Sequence, residues 1–470
     1  MRTLHQKRTP PASLFAPQGF LSRDECQALF AQVVGLTTGG GTTKLRVSST
    51  REGVAEWALN RTRVVSDAQH TDLTITRTIA GAEGWMRTRR LDADGLRHAV
   101  RMAEYLRLAH RPWPENLTDP YVDQPISHPT LWSEPTYQLG AEGCTDLAQQ
   151  LIAPAESAGM ISTGALRVVA QSEAVMRSDG MARFYPTTEI QCSMTVRDTG
   201  GTASGWAGVN HYDIAKIDPA ALAATALDKA RRSAHPVAVE PGRWTAILEP
   251  QATADLVAMI DAEALDRLKA EMRQGPFKGP TLGTSKISEQ VLDRRLILRS
   301  DPMDPEGGFV PFEENDGTPY LPVNWIDKGV LKELKYREAY ALAKLGYDHA
   351  LLKPPDFRLT TAPGVPTMSV EEMIATTDRG VLVTRFSGVQ LVDFGSLLCT
   401  GYTRDGVWLI ERGKISKPIQ NFRFIESPLF ILNNLDAVGT PVRVFAPGSA
   451  YVAPPVRVRD FSFVALADAI

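Results

Sequence analysis

"ILEPQATADLVAMIDAEALDRL" (Ile247–Leu268) holds two different periodicities. Its first residues continue "GRWTA" as a short apolar strand, and Pro250 ends that strand and suits the first turn of a helix. Beyond it, apolar residues recur every three to four positions. Leu256, Val257, Ile260, Ala264, Leu265, Leu268 and Met272 fall on one face. Asp255, Glu263, Asp266 and Lys269 lie largely opposite. This predicts one amphipathic helix over 251–273, packed on one side and solvated on the other. Asp261, Glu263 and Asp266 are close in sequence but share no face, and no Gly-rich calcium loop accompanies them. They read as part of the solvated side.

Upstream, "LSRDECQALFAQVVG" opens with Ser22 as a helix cap and Glu25 completing a capping box, and Leu29, Phe30 and Val33 continue the apolar face. "TKLRVSST", "GVAEWALN", "TRVVSD", "DLTITRTIA" and "GWMRTRRLD" read as short antiparallel strands. "ADGLRHAVRMAEYLRLAH" (93–110) is an amphipathic helix that carries His98 and ends at His110, both expected at the surface or a terminus. Residues 111–139 are rich in proline and aromatics, which argues against any regular element and for an ordered arm that shelters Trp113, Tyr121, Trp132 and Tyr137. A helix broken near Pro154, three further strands, and a helix over 218–235 capped by Asp218 complete the first half. Downstream of the opening stretch the signals are mostly strands and turns. Short helices are expected near 336–345 and at "SVEEMIATT", where Ser369 and Glu372 form another capping box. The expectation is an α+β fold: a mixed α/β N-terminal domain, residues 1–240, then a β-rich C-terminal domain, residues 241–470.

With 470 residues, two domains or one composite domain are expected. A net charge of −3 gives no electrostatic case for nucleic acid, and no apolar run approaches the ~18 residues of a membrane span. The N-terminus "MRTLHQKRTPPASLF" has no apolar signal region, which points to the cytoplasm. Cys26, Cys144, Cys192 and Cys399 are far apart and read as reduced thiols.

Other constellations are weak. "PFKGPTLGTSK" (276–286) lacks phosphate-loop spacing, and "DPMDPEGGF" (301–309) reads as a turn. His211, at a probable strand end, reads as a satisfied structural histidine, with substrate contact as the alternative. Cys399 reads as a buried thiol, and Trp206 and Trp408 as core or interface. No Ser-His-Asp order or G-x-S-x-G appears.

Four C-terminal segments, in this order and spacing, resemble the TldD/PmbA family of zinc metallopeptidases and their metal-free sister subunits. They are "EPGRWTAILEP" before the helix, "NDGTPYLPVNWIDKGVLKELKYREAYALAKLG" (315–346), "SVEEMIATTDRGVLVTRFSGV" (369–389) and "DGVWLIERGKISKPIQNFRFIES" (405–427). "MRSDGMARFYPTTEIQCSMTVRD" in the first half is similar to a family strand pair. The resemblance covers roughly 45–460.

Peptidases of that family carry H-E-x-x-x-H on the helix after the "ILEP"-like strand, with a cysteine near the C-terminus as a further zinc ligand. Here the first histidine position is Met259, the glutamate position Ile260 and the last histidine position Ala264. Thr440 or Pro441 stands roughly where the cysteine would, and the nearest histidines in sequence are His235 and His349. On a regular helix, residues five apart lie about 140° apart, so such a ligand pair needs a distorted turn. The resemblance therefore implies the TldE/PmbA-like side of the family. It implies no catalytic residue, no metal and no cofactor in this chain, and a degenerate motif at Met259, Ile260 and Ala264. The implied partner is a zinc-bearing TldD-like sister chain or a second copy, and the implied substrate is unfolded peptide, with no nucleic acid or membrane involved. The resemblance also extends to proteins linked to gyrase modulation, on which these residues are silent. A stand-alone homodimeric peptide-binding protein and an enzyme with metal-independent chemistry are the alternatives.

Overall fold

The computed structural model describes residues 20–109, 129–304, 306, 310–336, 344 and 354–467. The architecture is α+β, as expected. Helix α1 (Arg23–Leu36) starts at the Ser22 capping box. The five expected strand pieces then merge into three long antiparallel strands, β1 (Thr42–Ala58), β2 (Arg61–Ile79) and β3 (Ala82–Thr88). Gly53 does not interrupt β1. It is the point where a later helix approaches, and a Cβ there would meet the Gly140 carbonyl carbon at 2.8 Å.

Asp92 caps α2 (Ala93–Leu106) by accepting from Gly95 N at 2.9 Å. His98 on it is exposed, whereas His110, Trp113 and Tyr121 lie outside the described residues. The proline-rich connection does contain a regular element: Ser133 caps the short α3 (Glu134–Gln138). Trp132 and Tyr137 there gather with Phe20, their ring centroids 5.1–5.9 Å apart. The break expected at Pro154 is absent, and α4 (Gly140–Ser157) runs through it. Burial of Leu151, Ile152 and Ala155 around the proline offsets its missing hydrogen bond. Strands β4 (Ile161–Arg177), β5 (Ala182–Arg197) and β6 (Ser204–His211) follow, then α5 (Pro219–Arg232), capped by Asp218.

These strands form one antiparallel sheet in the order β3-β2-β1-β4-β5-β6. Its alternation decides the packing. Leu45, Val47, Leu73 and Ile75 face α1 and α2, while Ala55, Trp57, Leu166 and Ile190 face α4 and α5. Among the described residues no helix packs over Lys44, Arg46 and Ser48 on the other face.

The second half opens with β7 (Gly242–Leu248) and α6 (Pro250–Met259), a wide turn at Ile260–Ala264, and α7 (Arg267–Glu271). Next come β8 (Leu296–Ser300), β9 (Val323–Asp327), β10 (Val330–Leu331) and β11 (Arg358–Thr361). The helix expected near 336–345 falls almost wholly outside the described residues. After α8 (Val370–Ala375), which has the Ser369–Glu372 capping box, come β12 (Arg379–Asp393), β13 (Leu398–Glu411), β14 (Lys414–Pro418) and β15 (Asn421–Glu426). Helix α9 (Pro428–Asn433), β16 (Leu435–Val438), β17 (Val442–Arg443), β18 (Val452–Ala453) and β19 (Val456–Ala467) complete the described chain.

Five of these strands close on themselves: β12 pairs with β7, β7 with β19, β19 with β15, β15 with β13, and β13 again with β12. Closure leaves none of the five as a free edge. Phe386, Phe424, Phe422, Phe461 and Phe463 pack together in this unit, with neighbouring ring centroids 4.7–5.7 Å apart. A smaller sheet, β10-β9-β8-β11-β18-β17, stands beside it. Among the described residues no helix is long and apolar enough to cross a membrane.

Candidate functional site

The single helix expected over 251–273 is not continuous. Helix α6 ends at Met259, and Ile260–Ala264 form a π-turn. Leu265 then leaves helical geometry at φ −82, ψ 45. Asp266 restarts the chain as the cap of α7, accepting from Lys269 N at 2.9 Å. The cause is tertiary: Lys335 N donates to Leu265 O at 3.0 Å, and Arg267 N donates to Lys335 O at 2.9 Å, so a neighbouring segment takes up the backbone groups at the break. A π-turn closes i→i+5 hydrogen bonds and brings residues five apart round toward one side. Met259 and Ala264 stand in that relation here.

The faces differ from expectation as well. Leu268 is 49% exposed and Met272 54%, so neither joins the packed side. Two acids expected in solvent are withdrawn from it. Asp255 Oδ2 accepts from Phe386 N at 2.8 Å and Oδ1 from Gln251 Nε2 at 3.0 Å. Burial raises its pKa to about 6, against those donors and the Arg385 charge. Asp261 is buried on the π-turn itself. Glu263 is partly exposed, in line with the solvated side.

Near Asp261 lie Asp356, which is fully buried, and Arg358 on β11. Arg358 Nη1 bonds Asp304 Oδ2 at 2.8 Å, while its Nε is 4.0 Å from Asp356 Oδ2. Burial pushes Asp356 up to about 7; Arg358 pulls it down and Asp261 pushes it up. Tyr451 is raised to about 12 by burial and by both aspartates.

The side chains at Met259, Ile260 and Ala264 do not fit zinc, since they offer one thioether and hydrocarbon where imidazoles and a carboxylate are needed. Among the described residues no three His, Cys, Asp or Glu side chains gather to hold a metal ion. His235 is exposed after α5, and His349 lies outside the described residues. Thr440 is exposed and bonds Thr367 Oγ1 at 3.3 Å. Cys399 is buried, and desolvation pushes its thiol up to about 11, so it is no ready ligand.

The helix-free face of the N-terminal sheet forms the second part of the site. Over β1–β3 it is an open hollow of about 410 Å³ with Lys44, Arg46, Thr74, Trp85 and Arg87 in its lining and Asn315 at one side. Trp85 is 55% exposed. Arg46 pairs with Glu173 at 3.1 Å and with Glu314, and Asp72 receives Arg87 and Arg89. Over β4–β6 the same face is covered by the second half of the chain, leaving a cavity of about 170 Å³ lined by Gln171, Thr187, Glu189, Phe312, Glu314 and Tyr320.

A polar seam closes the far end of this face. Asn210 Nδ2 donates to Glu189 Oε1 at 2.7 Å and to Ala446 O and Ser449 O at 3.0 Å; its Oδ1 accepts from Ala446 N at 2.8 Å. His211 is part of the seam. Its Nδ1 accepts from Asp213 N at 3.0 Å, so Nε2 carries the proton and faces Glu306 Oε2 at 2.9 Å. That bond holds Glu306 below the usual carboxylate range. Trp206 meets Phe445 edge-on across the same boundary, while Trp408 is buried, its indole donating to Arg232 O at 3.0 Å.

Residues 241–465 match the PmbA/TldA metallopeptidase C-terminal domain. A stretch of 184 residues is 25% identical to the metalloprotease TldD homologue of Buchnera aphidicola subsp. Schizaphis graminum, covering 36% of this chain and 37% of that protein's length. A proposed modulator of DNA gyrase from Thermotoga maritima shares the fold at a TM-score of 0.78, over 93% of this chain and 99% of its own, with 18% identity. A second proposed modulator, from Bacteroides thetaiotaomicron, does so at 0.75, over 94% and 100%, also with 18% identity. TldE from Thermococcus kodakarensis gives 0.76 over 94% and 100%, at 15% identity. Residues 241–465 belong to the PmbA/TldA metallopeptidase C-terminal domain family, and the chain as a whole shares the fold of these structures.

The strand-to-helix order at "ILEP" was legible because Pro250 marks it locally. Asp356, Asn210 and Glu189 escaped sequence reading. Each is a polar residue in an alternating or irregular stretch, and nothing local says that its outward face meets another part of the chain instead of water.

Proposed function

We propose that this chain is a TldE/PmbA-like subunit without zinc of its own, which pairs with a zinc-bearing TldD-like sister to trim or degrade unfolded peptides. The carrying observation is the π-turn after α6. The wide turn that an H-x-x-x-x-H ligand pair needs is present, but its positions hold Met259, Ile260 and Ala264. Peptide-bond hydrolysis needs an activated water or a nucleophile, and these three side chains supply neither. The open hollow over β1–β3, with its threonine floor and exposed Trp85, suits a role in holding an extended peptide. The proposal divides the chain at residue 240, with the sheet contributed by 1–240 and the degenerate helix by 241–470. It assigns the chain to the cytoplasm, which its four free thiols suit.

The test uses purified full-length chain and a zinc-bearing TldD-like sister. Cleavage of an unfolded peptide should be absent with this chain alone, appear on mixing, and vanish with a chelator. Elemental analysis of the chain alone should show well under one zinc. Chelator-resistant cleavage by this chain alone would overturn the proposal.

A further inference from the structure

The amide of Gln251 joins helix α6 to a loop that bonds the N-terminal sheet. Gln251 Oε1 accepts from Phe445 N at 3.0 Å, and its Nε2 donates to Phe445 O at 3.3 Å. The backbone of Phe445 fixes which end of the amide is oxygen, because a reversed amide would set N–H against N–H. Phe445 begins the loop 445–449, which grips β5 and β6. Ala446 and Ser449 bond Asn210, and Gly448 N donates to Glu189 Oε1 at 3.0 Å.

The same Nε2 of Gln251 also donates to Asp255 Oδ1, while Asp255 Oδ2 accepts from Phe386 N. Both oxygens of this carboxylate therefore face donors. A proton on Oδ1 would meet Nε2–H. Turning the amide to relieve that contact would set Nε2 against Phe445 N–H. Left in place, the amide loses its bond to Asp255; turned, it accepts the carboxyl proton and loses both bonds to Phe445.

We propose that Asp255 is a proton-operated release of the clamp between α6 and the loop 445–449: on protonation its carboxyl turns Gln251 out of register with Phe445 and loosens the loop on β5 and β6. Burial places the transition at about pH 6. Arg385 on β12 faces Asp255 and is itself paired with Asp405 of β13 at 3.0 Å, with Arg404 alongside. Glu249, at the start of α6, is paired with Lys229 at 2.6 Å. The loop presents backbone to Gln251. Burial favours the proton on Asp255 in the folded chain, so the acid form stays folded and gives up only the local clamp. Glu189, also raised by burial, is a second titratable group under the loop and serves as the control.

Amide hydrogen exchange of the full-length chain, corrected for the intrinsic pH dependence, tests this at pH 5 and 7.5. Protection in the segment 443–450 should fall about fivefold at pH 5, the effect of losing roughly one hydrogen bond. Asp255→Asn, whose amide imitates the protonated carboxyl, should be loose at both pH values. Gln251→Ala, which keeps the carboxylate, should likewise be loose at both. Glu189→Gln should keep the pH response. Protection that does not change with pH in the parent chain, or a full response in Asp255→Asn or Gln251→Ala, would overturn the proposal. The readout is independent of the peptidase reading, because no cleavage is measured.

Discussion

Ile260 and Glu263 share the π-turn but meet opposite surroundings, the first fully buried and the second partly exposed. Ile260→Asp would put a charge into the apolar core without a partner, and buried unpaired charges are among the costliest substitutions. It should abolish soluble expression or lower the melting temperature by many degrees. Glu263→Ala should stay within about 0.5 kcal/mol of the parent in a urea titration, as ordinary surface changes do. Asp356 supplies a pH prediction with a definite sign. Its folded-state pKa, about 7, lies above its ordinary value of 3.8. A carboxyl raised on folding stabilises the folded chain at low pH and loses that contribution as pH rises through its folded value. Stability should therefore decline between about pH 4 and pH 7, and Asp356→Asn should make that decline shallower. Melting temperatures of both proteins across this range decide it; parallel curves would mean that Asp356 does not titrate there.

At the scale of elements, the break between α6 and α7 is held from outside. Leu265 and Arg267 spend their backbone groups on Lys335, and Asp266 caps the restarted helix. Asp266→Ala should cost about 1 kcal/mol, the usual loss for an N-cap. It should shift the urea midpoint without changing the slope, and a stability equal to the parent's would show that the cap is dispensable. Helix α4 illustrates the reverse balance. Pro154 disfavours the helix locally, and the apolar residues around it keep the helix intact.

At the scale of the molecule, the two halves meet through a seam in which Asn210 is fully buried and serves four partners. Removing its side chain would leave Ala446 N without its acceptor and Ser449 O without its donor, while Ala446 O keeps Ser449 N at 2.9 Å. Buried groups left without partners cost about 1–3 kcal/mol each. Asn210→Ala should therefore destabilise the chain by roughly 2 kcal/mol or more and separate its unfolding into two steps, read by calorimetry. A single cooperative transition at the parental temperature would show that the seam does not couple the halves.

Much of this was written in local sequence. The capping boxes at Ser22 and Ser369, the cap at Asp218 and the α+β order all follow from residues a few positions apart, whose chemistry acts at that range. Periodicity also separated strands from helices, although it cut β1 at Gly53, which reads as a break until the helix that approaches it is known, and cut β2 within the polar run at residues 66–71. The π-turn, the withdrawal of Asp255 and Asp261 from water, and the seam at Asn210 and Glu189 were decided only by tertiary structure. A strand or helix pattern states which side chains share a face. Whether that face meets solvent or a segment 200 residues away depends on long-range contacts, and these set the burial, the hydrogen-bond partners and hence the protonation of each acid.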